Sequence, residues 1–171
     1  MERNYERTLV ISATIDDVFA FVDDHSTLSS HMGQSSWMMG GGRMSTEVDA
    51  GEGRAVGSHI RLAGRVFGLR VFLDEVVVKR DPPKQKVWQT VGAPRLLVIG
   101  AYRMGCEIQS VRDGCELRVF LHYDLPTGVL TRWLGRMFGD WYARWCVQQM
   151  LNGARKEFNI RAVRVIQPSV D

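Results

Sequence analysis

With 171 residues, 45% of them hydrophobic and 24% charged, the chain has material for one substantial core. Its five prolines form no Pro-rich tract, and its apolar runs, such as 95–100, fall far short of the roughly 20 residues a membrane-crossing helix needs, which sets aside disordered, fibrous and helical-membrane classes. The 22 Lys and Arg against 19 Asp and Glu leave a formal charge of +3, dispersed rather than gathered in a stripe, so no nucleic-acid partner is expected and any contact with an anionic membrane surface should be weak.

Residues 1–6 are polar and acidic where a signal peptide would be basic and then apolar, so a cytoplasmic protein is expected. Tyr5 to Ile11 reads as a first strand. Thr14 then precedes Asp16, Asp17 and the apolar Val18, Phe19, Phe21 and Val22, the pattern of a helix capped by the Thr14 hydroxyl with Asp17 reaching back. A second short helix is expected from Ser26 through Leu28 towards Met32; neither is long enough to stand alone. The pattern loosens around Trp37, Met38, Met39 and the glycines 40–42, with Met44 to Val48 as a strand and Ala50 to Gly53 as its turn. A phosphate-cradling loop is set aside, because no Walker or dinucleotide glycine pattern follows a strand and opens a helix.

From Gly57 the period becomes two. Ser58, Ile60 and Leu62 alternate with His59 and Arg61; Leu69, Val71 and Leu73 alternate with Arg70 and Phe72, and the run continues through Val78 until Asp81-Pro82-Pro83 stops it. Lys86 to Val91 is the next strand, ended by Gly92-Ala93-Pro94, and Leu96 to Ile108 and Cys115 to Leu125 bring the expected count to seven. Asp113-Gly114 is a two-residue hairpin signal that sets Arg112 opposite Cys115, Cys106 opposite Leu121 and Met104 opposite Tyr123. Leu117, Val119, Leu121 and Tyr123 then share a mostly apolar face with Tyr102, Met104, Cys106 and Ile108, and the opposite face is largely wet. In this register Cys106 and Cys115 cannot form an unstrained disulfide, and three cysteines without a CxxC or a Cys/His cluster make neither a disulfide scaffold nor a zinc site.

Residues 129 to about 158 lack proline and read as one long helix with Thr127 as N-cap. Leu130, Leu134, Met137, Phe138, Trp141 and Trp145 follow steps of three and four on one broad face, which should project toward the sheet; Val147, Met150, Leu151, Ala154 and Phe158 define a second face rotated from the first.

This order of elements resembles the START/Bet v 1-like (SRPBCC) superfamily, more narrowly its polyketide cyclase/dehydrase and lipid-transport type. The stretches that carry the likeness are 10–22, the Val56-Gly57-Ser58 start of a strand, Asp81-Pro82-Pro83 after a long strand, and 153–158. The resemblance implies a single domain over 1–171, with its core at about 3–160 and a short C-terminal tail. It implies an α+β helix-grip fold, in which a curved seven-stranded antiparallel sheet wraps the long helix and two short helices follow the first strand. Members bind lipids, sterols, quinones, hormones or polyketides in a chamber between sheet and helix, and some catalyse cyclisation or dehydration.

On that frame a small hydrophobic, ring-containing ligand is expected, with Trp37, Met39, Leu73, Tyr102, Met104, Val119, Leu121, Tyr123, Leu134, Phe138, Trp141 and Trp145 around it. Trp141 is expected as chamber wall and Trp145 as core. No cofactor is expected, and the chain should be a monomer or homodimer. The histidines, His25, His31, His59 and His122, have no carboxylate at metal-site spacing, so no metal is expected either. Neither GxSxG nor a cysteine with an evident histidine partner points to a nucleophile. Asp74 and Glu75 are adjacent in a strand, so one of them must point inward unless a bulge intervenes; it could serve there as acid or base with Tyr102 or Tyr123 as hydrogen-bond donor, the alternative being a surface or rim partner of an arginine. Cyclase, aromatase or dehydratase chemistry on a polyketide-like substrate is therefore the alternative to plain binding. Gln148 and Asn152 are further polar groups for such a chamber. A protein-interaction or membrane-peripheral module, suggested by Trp37-Met38-Met39 beside its glycines, is the third expectation.

Overall fold

The computed structural model describes residues 2–24, 44–66 and 68–158. Two strands and a helix open the chain: β1 (Arg3–Ile11), α1 (Ile15–Asp23) and β2 (Met44–Val48). Then come β3 (His59–Val66), β4 (Leu69–Asp81), β5 (Gln85–Arg95), β6 (Tyr102–Val111), β7 (Gly114–Tyr123) and the long α2 (Val129–Glu157). The seven strands form one curved antiparallel sheet in the order β1-β7-β6-β5-β4-β3-β2, which wraps α2 in a helix-grip arrangement. The first strand thus pairs with the last, and β1 and β2 are the edges. The second short helix expected near residues 26–32, with Trp37, Met39, His25 and His31, lies outside the described residues.

At the start of α1 the Thr14 hydroxyl accepts from the Asp17 backbone N–H at 3.1 Å, as its sequence suggests. The Asp17 carboxylate accepts from that same hydroxyl at 2.6 Å, so it closes the cap on the side chain rather than on the Thr14 backbone N–H. Val18, Phe19 and Val22 are buried against β5, β6 and β7.

Three boundaries differ from expectation. In the β6–β7 hairpin Val111 pairs with Gly114, so Arg112 and Asp113 form the turn and every pairing moves by two residues: Cys106 faces Val119 and Tyr102 faces Tyr123. The sharing of faces survives, because a shift of two preserves parity. Gly114 serves a close approach instead of the turn tip, since a Cβ there would stand 2.0 Å from the Ile11 carbonyl oxygen of β1. Next, Gly92-Ala93-Pro94 does not end β5; the strand runs to Arg95 through an irregular register between Phe72 and Asp74, where a proline costs no ladder bond. Finally, β6 starts only at Tyr102, and 96–101 crosses as a loop.

The core has two parts. One joins Leu9, Ile11, Val119 and Leu121 of β1 and β7 to α1, the inner side of β6 and the later half of α2. The other is smaller, Ile60, Leu62, Val71, Leu73 and Val77 of β3 and β4 with Trp145 packed against it. Each fully buried Val, Leu or Ile contributes about 1.5–3 kcal/mol relative to exposure, so together they anchor both halves of the sheet.

The long helix presents a different face from the one its large apolar residues suggest. Gly135, Gly139 and Ala143 are buried, followed by Val147, Met150, Leu151 and Ala154. A Cβ at Gly135 would lie 2.8 Å from the Val98 carbonyl oxygen, so the stripe of small residues is what lets the helix sit down on the 96–101 loop. Leu130, Met137, Phe138 and Trp141 consequently turn outward, Trp141 to 50% exposure, which corrects its expected place as a chamber wall. The N-cap is Gly128, without a side-chain bond, and not Thr127. The fit of α2 to β1 is metrical. Arg3 donates to Asp140 at 2.9 Å, Arg144 stacks on Tyr5 at 5.8 Å and Arg7 donates to Gln148 at 2.5 Å. Four residues of helix rise about 6 Å and two of strand about 6.6 Å, so successive rungs stay in step.

Candidate functional site

The alternation of β4 decides between the two adjacent acids. Glu75 is buried on the inner side with Val71, Leu73 and Val77, whereas Asp74 lies on the outer side, 2.9 Å from His59 Nδ1 and 3.7 Å from Arg61 Nε. Asp74 is thus a surface ion-pair partner. The inner side of β6 brings Tyr102 to Glu75, and its hydroxyl donates to Glu75 Oε1. Tyr102 packs against both core clusters, so this pair sits at their junction.

From the helix side come Tyr142 and Cys146, one turn apart and both within electrostatic reach of Glu75. Trp145 adjoins them, its ring 5.8 Å from that of Tyr142. Burial, and then the Glu75 charge, push the Tyr102 hydroxyl well above its ordinary value. Burial dominates at Tyr142 as well, with Cys146 and Glu75 adding to it. The Cys146 thiol is pushed up to about 12, again chiefly by burial. Near neutral pH all three keep their protons. Cys146 is therefore no thiolate nucleophile, and the cluster offers neutral hydroxyl and thiol groups around one carboxyl in apolar surroundings.

The other residues expected around a ligand fall into distinct places. Leu73 is buried in the smaller cluster; Met104, Val119 and Leu121 are buried in the larger one. Leu134 is half-buried, and Phe138 and Trp141 are exposed. Trp37 and Met39 lie outside the described residues. Tyr123 is not brought to Glu75: its hydroxyl donates to Asp140 Oδ1 at 2.5 Å, on the β1 side of α2, and burial together with Asp140 raises it to about 12. Gln148 and Asn152 also belong to that side, bonded to each other at 3.1 Å, with Arg7 on Gln148. Those bonds turn them toward β1 rather than toward Glu75.

Sequence reasoning did not join Tyr142 and Cys146 to Glu75, although their spacing of four on a helix was a usable signal. It also missed a buried ionic cluster. Lys86, fully buried opposite Cys106, donates from Nζ to the Asp23 carbonyl oxygen at 2.6 Å and lies 3.2 Å from Asp23 Oδ1. Arg80 grips the same carboxylate at 3.0 and 2.8 Å. Burial alone would raise the Asp23 carboxyl, but the two cations hold it below its usual range. Burial lowers Lys86 despite Asp23. The cluster pins the C-terminal end of α1 to β4 and β5 and so fixes that end of the sheet's concave side. Among the described residues no three His, Cys, Asp or Glu side chains gather as a metal-binding group.

Comparison with known proteins bears on this geometry. The sequence pattern of the family described as polyketide cyclase / dehydrase and lipid transport matches residues 2–159. No curated protein matches the chain significantly. Among solved structures, the Zhui aromatase/cyclase from Streptomyces sp. R1128 superposes with a TM-score of 0.68 at 14% identity, covering 93% of this chain and 94% of that one. Norcoclaurine synthase from Thalictrum flavum gives 0.65 at 12% identity, over 94% of this chain and 96% of the other. The di-domain ARO/CYC BexL gives 0.66 at 16% identity over 94% of this chain, which spans only 51% of that protein's length. At these identities the likeness is one of fold.

Proposed function

The chain belongs to the polyketide cyclase/dehydrase and lipid transport family, and from that premise we propose that it binds a small hydrophobic, ring-bearing molecule between its sheet and α2. The observation that carries this reading is the junction of the two apolar clusters, where Glu75, Tyr102, Tyr142 and Cys146 converge beside Trp145. A few polar groups in an apolar wall orient a ligand, and flat aromatic side chains suit a flat ligand. Tyr102 and Tyr142, protonated at neutral pH, suit a carbonyl or hydroxyl oxygen on the ring system.

Proton-transfer catalysis of the cyclase or dehydratase kind is the second reading, and the inward Glu75–Tyr102 pair favours it. Glu75 would take the proton from carbon or oxygen, and Tyr102 would donate to the developing oxyanion. One series of experiments separates the two. Molecules retained through native purification are identified by mass spectrometry, and quinones, lipids and aromatic polyketides are then titrated and assayed for turnover. Binding alone predicts retention without product, and Glu75→Gln then changes affinity only. Catalysis predicts that Glu75→Gln lowers kcat by about 100-fold or more while affinity moves little. A protein that retains and binds none of these compounds contradicts both.

A further inference from the structure

The first four turns of α2 carry an apolar row that the core does not use. Leu130, Trp133, Met137 and Trp141 follow steps of three and four and are 71%, 57%, 55% and 50% exposed. One position ahead of this row, at steps of four, run Arg132, Arg136, Asp140 and Arg144. Asp140, the one acid in that series, is neutralised by Arg3 and accepts from Tyr123. The exposed strip is therefore aromatic and apolar along one line and net cationic along the next.

The charge decides what such a strip can meet. Pairing two copies through it would bring like-charged arginine rows near one another, with Asp140, the one acid in the series, already held by Arg3. An anionic bilayer surface answers both lines at once: tryptophan settles at the level of the headgroups, and arginine reaches lipid phosphates while its stem lies on apolar surface. No helix among the described residues is long and apolar enough to cross a membrane, so a surface-lying arrangement is the geometry in question.

We propose that the N-terminal half of α2 docks this protein on anionic phospholipid membranes, with Trp133, Met137 and Trp141 entering the interface and Arg132 and Arg136 contacting lipid phosphates. The contact is peripheral and salt-sensitive, and it places the outer side of α2 against the lipid while the sheet faces away. It is independent of what the interior binds.

Flotation of the full chain with phosphatidylcholine vesicles, with and without phosphatidylglycerol, tests it. The expected result is co-flotation with the anionic vesicles only, its loss at high salt, and a blue shift of tryptophan emission on binding. Arg132→Glu/Arg136→Glu should lower the bound fraction about tenfold or more, and Trp133→Ser/Trp141→Ser should abolish the blue shift at an unchanged melting temperature. Equal flotation with neutral and anionic vesicles, or binding untouched by either double variant, overturns the proposal. So does a failure to float combined with a dimer by light scattering that the tryptophan variant dissolves, which would make the strip a seam between copies.

Discussion

Glu75 and Asp23 are two buried carboxylates handled in different ways. Asp23 is surrounded by cationic side chains, Arg80 in a two-pronged grip and Lys86 beside it, and is structural. Glu75 receives a tyrosine hydroxyl at the boundary between core clusters, a partner that a ligand oxygen can replace at small cost. The difference has a measurable consequence. Asp23→Asn leaves Lys86 buried without its counter-charge and should cost about 3–5 kcal/mol in urea denaturation. Because the folded-state value of Asp23 is depressed, its stabilisation is complete above the unfolded carboxylate value near 3.9 and is lost as pH falls through the folded value. The gap between wild type and Asp23→Asn should hold from pH 7 to 5 and start to narrow as pH falls below about 4. A gap that persists unchanged at pH 3 would mean that the ion pairs are not its source.

At the scale of elements, glycine placement governs where α2 lies. Gly135 and Gly153 both sit inside the helix, and helix propensity alone predicts that alanine would gain about 0.5–1 kcal/mol at either. Their surroundings differ. A methyl at Gly153 meets only the tip of the Phe21 ring at 3.5 Å, ordinary contact, so Gly153→Ala should stabilise. At Gly135 it would stand 2.8 Å from the Val98 carbonyl oxygen and 2.9 Å from Pro126 Cδ, so the helix must lift and Gly135→Ala should cost about 1–3 kcal/mol. Thermal melts of the two variants check this; equal shifts of one sign would show that propensity, not approach, controls the site. The same contrast explains what was legible. The strand alternation of β4 correctly left one of two acids inward, and the parity of β6 and β7 survived a misplaced turn. The facing of α2 was not legible, because a row of Trp, Phe and Met outweighs Gly and Ala in any apolar count, yet only the small residues can approach backbone.

At the scale of the molecule, the order of strand, helix, strands and long helix was readable because each element carries its own period and the family likeness supplies their assembly. The candidate site was readable in part. Glu75 and Tyr102 were among the candidates, but Tyr123, the direct cross-strand partner of Tyr102 on the same face, is drawn off by Asp140 of the helix. Such competition depends on partners distant in sequence, as does the Asp23–Lys86 contact across 63 positions. Distribution of the aromatic residues then gives the most direct test of the central claim. The chain has five tryptophans, each with one indole N–H signal in a proton–nitrogen correlation spectrum. Trp88 and Trp145 belong to the inner side, while Trp133 and Trp141 face outward on α2. Titration with a quinone or aromatic polyketide should move the Trp145 and Trp88 signals, leave those of Trp133 and Trp141 in place, and weaken when Tyr102 is replaced by Phe. Shifts confined to Trp133 and Trp141, or none with any quinone or aromatic polyketide titrated, would contradict an interior binding site.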